Sequence, residues 1–222
     1  MNATEMYRSV QSSMVELCGS MIAEQAQLRV PTCPEWTPTD VLAHVVGIGA
    51  DFKADRREGS GGDDWTAAQV ESRKGMSVDD LLAEWVDLSD FLDEFFAAEP
   101  DLALALVADL VTHEHDIRLA IAHPGNRVGP EVTISAERYA DRFLDRVAKS
   151  ELTEAAVVVD GDRRGSGDAE VVLSGSAFDL LRAMTGRRSR AQVGAMNWDG
   201  DPAEHIEMIS SYGPPSAFDI DE

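Results

Sequence analysis

The chain is poor in several things, and each shortage narrows what it can be. Only two cysteines occur, Cys18 and Cys33. They are too far apart for a CxxC pair, so neither a disulfide framework nor a zinc knuckle is indicated, and both are expected as reduced thiols. Basic residues are scarce, 19 against 41 acidic ones, for a formal charge of -22. Such a chain repels phosphate backbones and anionic lipid surfaces, so nucleic acid is excluded as an expected partner. No apolar run approaches the roughly 18 residues of a membrane span, and Met1 to Val10 lacks the basic-then-apolar order of a signal peptide. A cytoplasmic location without membrane attachment is the resulting expectation. What remains is ordinary globular material, with 222 residues, 44% hydrophobic and 27% charged, enough for one large or two small domains.

Helical periodicity dominates the first half. Met6, Val10, Met14, Leu17 and Met21 predict a first helix from about Ala3 to Leu28. Val30-Pro31-Thr32-Cys33-Pro34-Glu35-Trp36 breaks it, because proline removes backbone donors and drives the preceding residue to extended geometry. Thr37-Pro38-Thr39-Asp40 is a helix start, with Thr37 as N-cap and Pro38 at the first helical position. The second helix carries an inward stripe of Val41, His44, Val45, Ile48 and Phe52. The glycine-rich Gly59–Asp64 stretch predicts a surface loop. A third helix starts at the Ser77 cap and ends near Glu99-Pro100, and a fourth runs from about Asp101 to Ala122.

The second half changes pattern. A helix from about Ser135 to Lys149 leads into two β-branched runs, Ala156–Val159 and Glu170–Leu173, read as paired strands joined by a long hairpin loop. A short helix over Ser176–Met184 is closed by Gly186, with Arg187, Arg188 and Arg190 directly behind it. Trp198–Pro202 reads as a turn. A last helix around Ala203–Ser210 precedes a loose acidic tail.

The fourth helix holds the chemistry. Leu102, Leu106, Leu110, His113 and Ile117 form its inward stripe, and Asp109 and His113, at i and i+4, are neighbours on that face. A carboxylate and an imidazole facing a core must be paired or must bind something, since an unpaired buried charge is costly. With His44 they offer two imidazoles and a carboxylate, a set that suits zinc or a similar divalent ion with positions left for water. On the residues alone two readings stay open, a metal site or hydrogen-bonded core histidines, because periodicity does not show that the second and fourth helices touch. His115, two residues from His113, is expected on the solvated side, and His123 and His205 at solvent contacts near turns. Asp116 is placed to orient His113, and Arg118 to neutralise Glu114. Cys33 is a further candidate ligand or thiol.

Three stretches together carry a resemblance: Val30–His44, with its Pro-Thr-Cys-Pro-Glu-Trp-Thr-Pro core, then Asp109-x-x-x-His113-Glu114-x-Asp116-Ile117-Arg118, then Thr185-Gly186-Arg187-Arg188-Ser189. The chain resembles the actinobacterial mycothiol-dependent maleylpyruvate isomerase family, in its broad branch rather than the isomerase itself. The resemblance implies a mostly α protein, a DinB-like four-helix bundle over residues 1–128 followed by a small α/β domain over 129–222. It also implies a divalent metal, zinc or nickel, on His44, Asp109 and His113, with Asp109 standing where glutamate is usual. Mycothiol, a low-molecular-weight thiol, is the implied cofactor, and a small electrophile the implied substrate of an isomerase or transferase reaction. Arg187 and Arg188, with their bidentate donor geometry, are the candidate catalytic residues for holding a carboxylate. The alternative is a non-catalytic metal- or ligand-binding module.

Overall fold

The computed structural model describes residues 1–222, and its chain divides into two compact units. The first comprises Met1–Leu106 and His113–Gly125, the second Val107–Thr112 and Asn126–Glu222. The architecture is mostly α, a helical bundle with a small four-stranded α/β part, as the sequence predicts.

In the first unit, α1 (Ala3–Gly19) opens on a capping box between Asn2 and Glu5, which satisfies two orphan backbone donors reciprocally. It is shorter than expected. Gly19 and Ser20 end it, and only a single 3-10 turn at Gln25–Gln27 follows before the proline-containing connector. α2 (Pro38–Lys53) begins as its sequence dictates, with Thr37 and Asp40 forming a capping box and Pro38 in the first turn. The predicted stripe is buried, but so are Leu42, Ala43 and Val46, so α2 is enclosed on nearly all sides.

Two corrections follow. The glycine-rich loop gives way at Gly62 to a helix, α3 (Asp63–Ser72), that has almost no apolar stripe and therefore no periodic signal. The third predicted helix is two, α4 (Val78–Asp87) and α5 (Ser89–Ala98), meeting at Leu88. Around them the core is aromatic: Trp85 is fully buried and donates its indole N–H to the Tyr7 hydroxyl at 3.0 Å, and Phe52 stacks on Phe95. α6 (Pro100–Ala120) is one continuous helix of 21 residues with proline in its first turn.

In the second unit, α7 (Pro130–Ala148) buries Val132, Ala136, Tyr139, Ala140, Phe143 and Val147 at helical spacing. The sheet has the order β2-β1-β3-β4. β1 (Ala155–Val159) pairs antiparallel with β2 (Asp162–Gly165) and parallel with β3 (Val171–Gly175). The two β-branched runs thus pair as expected, but in parallel. The predicted loop between them contains β2, and the hairpin turns at Asp160-Gly161, both with positive φ, 49° and 101°. Two positive φ values are what a tight two-residue hairpin requires, and Asp-Gly supplies them cheaply. α8 (Ala177–Met184) starts on a Ser176 cap and stops at Gly186, φ 81°. α9 (Arg190–Gly194) leads to β4 (Asn197–Asp199), a strand where a turn was expected, and α10 (Ala203–Met208) closes the elements. The acidic tail is not loose: Gln192 Nε2 donates to Ile220 O at 2.9 Å, and Ile220 and the Glu222 side chain are each 5% exposed.

Candidate metal centre

Each of the three predicted ligands is positioned by the local logic of its helix. The Thr37 cap fixes where α2 begins, and that phase turns His44 inward, 5% exposed. On α6, Asp109 is half-buried and His113, one turn later, is 8% exposed. The rings of His44 and His113 meet edge to face with centroids 5.0 Å apart. One ligand atom from each of His44, Asp109 and His113 lies within 4.8 Å of the other two. Three atoms bonded to one zinc-like ion at about 2.0–2.2 Å lie at most roughly 3.8 Å from one another, so this grouping needs to draw in by up to about 1 Å to hold an ion.

The donor chemistry also fits an ion. Both rings are held through Nδ1: that of His44 lies 2.7 Å from Gln69 Oε1, and that of His113 lies 3.2 Å from Asp116 Oδ2. Nε2 is then the nitrogen each would turn to a metal, the arrangement in which an outer partner orients a ligating histidine. Asp116, fully buried, is itself held by Thr32, whose hydroxyl donates to Oδ1 at 2.8 Å. Trp36 packs its ring against His44, centroids 5.4 Å apart. The connector at 30–36 therefore braces both histidines, Thr32 through Asp116 and Trp36 directly. Sequence reasoning anticipated Asp116 but not Gln69, which lies on α3, the helix without a periodic signal.

The neighbouring residues of α6 differ in part from expectation. Arg118 meets Glu114 as predicted, Nε to Oε1 at 2.9 Å, and the Ser13 hydroxyl adds a bond to the same oxygen at 2.7 Å. His115, however, is 3% exposed. Its helix is enclosed all round from Val111 to Arg118, so pointing away from His113 does not mean pointing to solvent. His205 is likewise buried, 3% exposed, with Nε2 3.0 Å from Thr153 O. His123 is exposed as expected. Cys33 is half-buried in its turn, whereas Cys18 is buried in α1. Burial, with the Glu114 charge adding to it and Arg118 opposing, pushes the Cys18 thiol up to about 12.

Within the second unit, Arg187 and Arg188 follow α8 at the Gly186 turn. Arg187 is half-buried and donates from Nη1 to Thr185 O at 2.6 Å. Arg188 donates to Arg187 O and is paired with the carboxylate of Glu222. Arg190 pairs with Glu207. The arginine that sequence reasoning passed over is Arg182: it is fully buried, donates from Nε to Glu222 Oε1 at 2.7 Å, and from Nη1 to Thr112 O at 3.1 Å. Its signal was a lone cation in the apolar run Leu180-Leu181-Arg182-Ala183-Met184. Also in this unit, burial, Tyr212 and the Asp109 carboxylate push the Tyr139 phenol well above its ordinary range.

Residues 8–112 match the mycothiol maleylpyruvate isomerase N-terminal domain family. That span runs from within α1 into α6 and contains His44 and Asp109, with His113 immediately beyond it. The resemblance seen in the motifs is therefore shown for the bundle half of the chain. Two solved structures are also similar: the mycothiol-dependent maleylpyruvate isomerase, TM-score 0.52, and a histidine-to-alanine mutant of a protein so described, TM-score 0.51. Each is 14% identical, over 83% of this chain and 88% of the other, so the likeness is one of fold and extends past the matched half. No curated protein sequence matches the chain. No helix is long and apolar enough to cross a membrane.

Proposed function

We propose that this protein is a divalent-metal enzyme that uses a low-molecular-weight thiol, mycothiol, in an isomerase or transferase reaction on a small electrophilic substrate. The observation that carries the proposal is the grouping of His44, Asp109 and His113 with both imidazoles anchored through Nδ1. Fold and family likeness supply the reaction class. Two neutral imidazoles and one carboxylate favour zinc, with nickel next, and three protein ligands leave room for an exogenous group. When bound, such an ion lowers the pKa of a coordinated thiol, as it does that of water, and keeps it as thiolate near neutrality.

The chain's own residues would do the rest. His44 and His113 are held at fixed ring angles by Gln69 and Asp116, so little ordering is left to occur on binding. Trp36 covers one side of His44 and keeps water from that ring. Cys18, buried and with its thiol pushed up to about 12, is unsuited as a nucleophile. Arg187 and Arg188 are proposed to hold a carboxylate of substrate or thiol, since a guanidinium fork matches that geometry. A cytoplasmic setting completes the proposal.

The test is the metal content of native, untagged protein by elemental mass spectrometry, beside a His44→Ala/His113→Ala double variant. Near-stoichiometric zinc or nickel, lost in the variant, is expected, followed by thiol-dependent turnover over a panel of electrophiles. Protein purified without chelator that holds no metal and takes none up on reconstitution would overturn the reading.

A further inference from the structure

His44 stands at the end of a line of polar groups within the first unit. Arg56 donates to Asp51 Oδ1 from Nε at 2.9 Å and pairs with it through Nη2 at 2.7 Å. Gln69 Nε2 donates to Asp51 Oδ2 at 3.0 Å, and Gln69 Oε1 lies 2.7 Å from His44 Nδ1. Gln69 is 1% exposed and Asp51 7%, so water is a poor substitute for any of these bonds.

The line has a direction. A carboxylate paired with arginine only accepts, so Gln69 must turn its NH2 to Asp51 and its carbonyl oxygen to His44. The two ends of that amide are alike in shape, and Asp51 is what distinguishes them. A carbonyl oxygen also only accepts, so His44 Nδ1 must carry the proton. A neutral imidazole has one N–H, which leaves Nε2 with its lone pair.

We infer that the Arg56–Asp51–Gln69 line fixes His44 as the Nδ1–H tautomer and so poises Nε2 to ligate the metal. Gln69 is the positioning residue, and Asp51 sets which way round it sits. The inference rests on the proposed role of His44 as a ligand. His113 reaches the same state by a shorter route, its Nδ1 facing the Asp116 carboxylate directly.

The fold is arranged to seat Gln69. Gly47, one turn beyond His44 on α2, has no side chain, and a Cβ there would lie 2.6 Å from Gln69 Cβ and 2.8 Å from its Cγ. Behind Gln69, Arg73 donates from Nη1 to Gln69 O at 3.3 Å and is clamped by Glu84 through Nη2 at 2.6 Å and Nε at 3.0 Å. α3 thus lies on α2 at the distance that a single amide spans.

The test reads the tautomer without any metal. Full-length, metal-free protein labelled with 15N-histidine is examined by one-bond and two-bond 1H–15N correlation at mildly alkaline pH, with the His44 signals assigned by their loss in His44→Ala. Zinc affinity is then measured by competition with a chromophoric chelator. Wild type is expected to show His44 as the Nδ1–H tautomer alone. In Asp51→Asn, which does not touch His44, Gln69 can turn over, so both tautomers appear and zinc affinity falls about 10- to 100-fold. Gln69→Leu is expected to lose the preference as well. Nε2–H on His44 in the wild type overturns the inference whether or not a variant folds. So does an Asp51→Asn protein that melts earlier yet keeps both tautomer and zinc affinity. A wild type with Nδ1–H on His44 that binds no zinc overturns instead the metal reading on which the inference rests.

Discussion

The two cysteines differ by their surroundings rather than by their chemistry. Cys18 sits beside Glu114 on the buried side of α1, where burial pushes its thiol up to about 12, while Cys33 is half-buried in a turn. Native protein treated with iodoacetamide near pH 8 should therefore alkylate at Cys33 and leave Cys18 untouched until the chain unfolds, as read by peptide mass spectrometry. Equal labelling of both would contradict the burial. The folded state holds the Cys18 proton more tightly than the unfolded chain does, so its contribution to stability is complete below the ordinary thiol value of 9.0 and is lost as pH rises towards about 12. At this scale the sequence disclosed Asp109 and His113 because i,i+4 spacing on an apolar stripe is a local property. It did not disclose the burial of His115 and His205, because exposure depends on what other elements cover. Gln69 and Asp51 were hidden for a further reason: each is an ordinary polar residue until the fold places it beside His44.

Among the elements, a helix was legible through its cap, as in α2 and α4, or through its apolar stripe without one, as in α6, whereas α3 has neither, and the short α9 was missed despite its Ser189–Gln192 capping box. α2 and α4 announce themselves through Thr37–Asp40 and Ser77–Asp80, since a capping box is written entirely in local residues. α3 has Gly62 at its N-cap and no side-chain cap, and it is held by packing on α2. β2, a strand of Asp-Arg-Arg-Gly, has no β-branched residue and forms because the Asp160-Gly161 turn delivers it to β1. The α2–α3 contact supplies a prediction at this scale. Gly47→Ala would favour the isolated helix by up to about 1 kcal/mol, because alanine loses less backbone entropy than glycine. Here the added Cβ meets Gln69 close to its own backbone, at 2.6 and 2.8 Å, so α3 must move rather than a flexible side-chain end. Overpacking of this kind costs about 1–3 kcal/mol. Gly47→Ala should thus lower stability by about 1 kcal/mol in urea unfolding and weaken zinc binding together. A stabilised variant with unchanged zinc affinity would show that α3 is not seated by this glycine.

For the whole molecule, composition and periodicity were enough for the class of fold, a mostly α chain with a small sheet, because hydrophobic pattern and length constrain architecture strongly. They were not enough for the tail, whose acidic residues read as solvated but include Glu222, drawn into ion pairs with Arg182 and Arg188. Those pairings join residues 40 and 34 positions apart, a separation at which no local pattern reports. The proposed ligands are also distributed, His44 on one helix and Asp109 and His113 on another, so they converge only in the folded chain. An ion bound there must therefore stabilise the fold, since a ligand that binds only the native state adds RT ln(1 + [L]/Kd). Zinc at a hundred times its Kd should add about 2.7 kcal/mol. For a chain of 222 residues, each kcal/mol shifts Tm by about 2–4 °C, so the gain should be about 5–10 °C. Thermal melting followed by circular dichroism, with zinc and with excess chelator, measures it. The shift should vanish in His44→Ala/His113→Ala, because one carboxylate alone cannot hold the ion. A shift of equal size in that variant would place the stabilising zinc elsewhere in the chain.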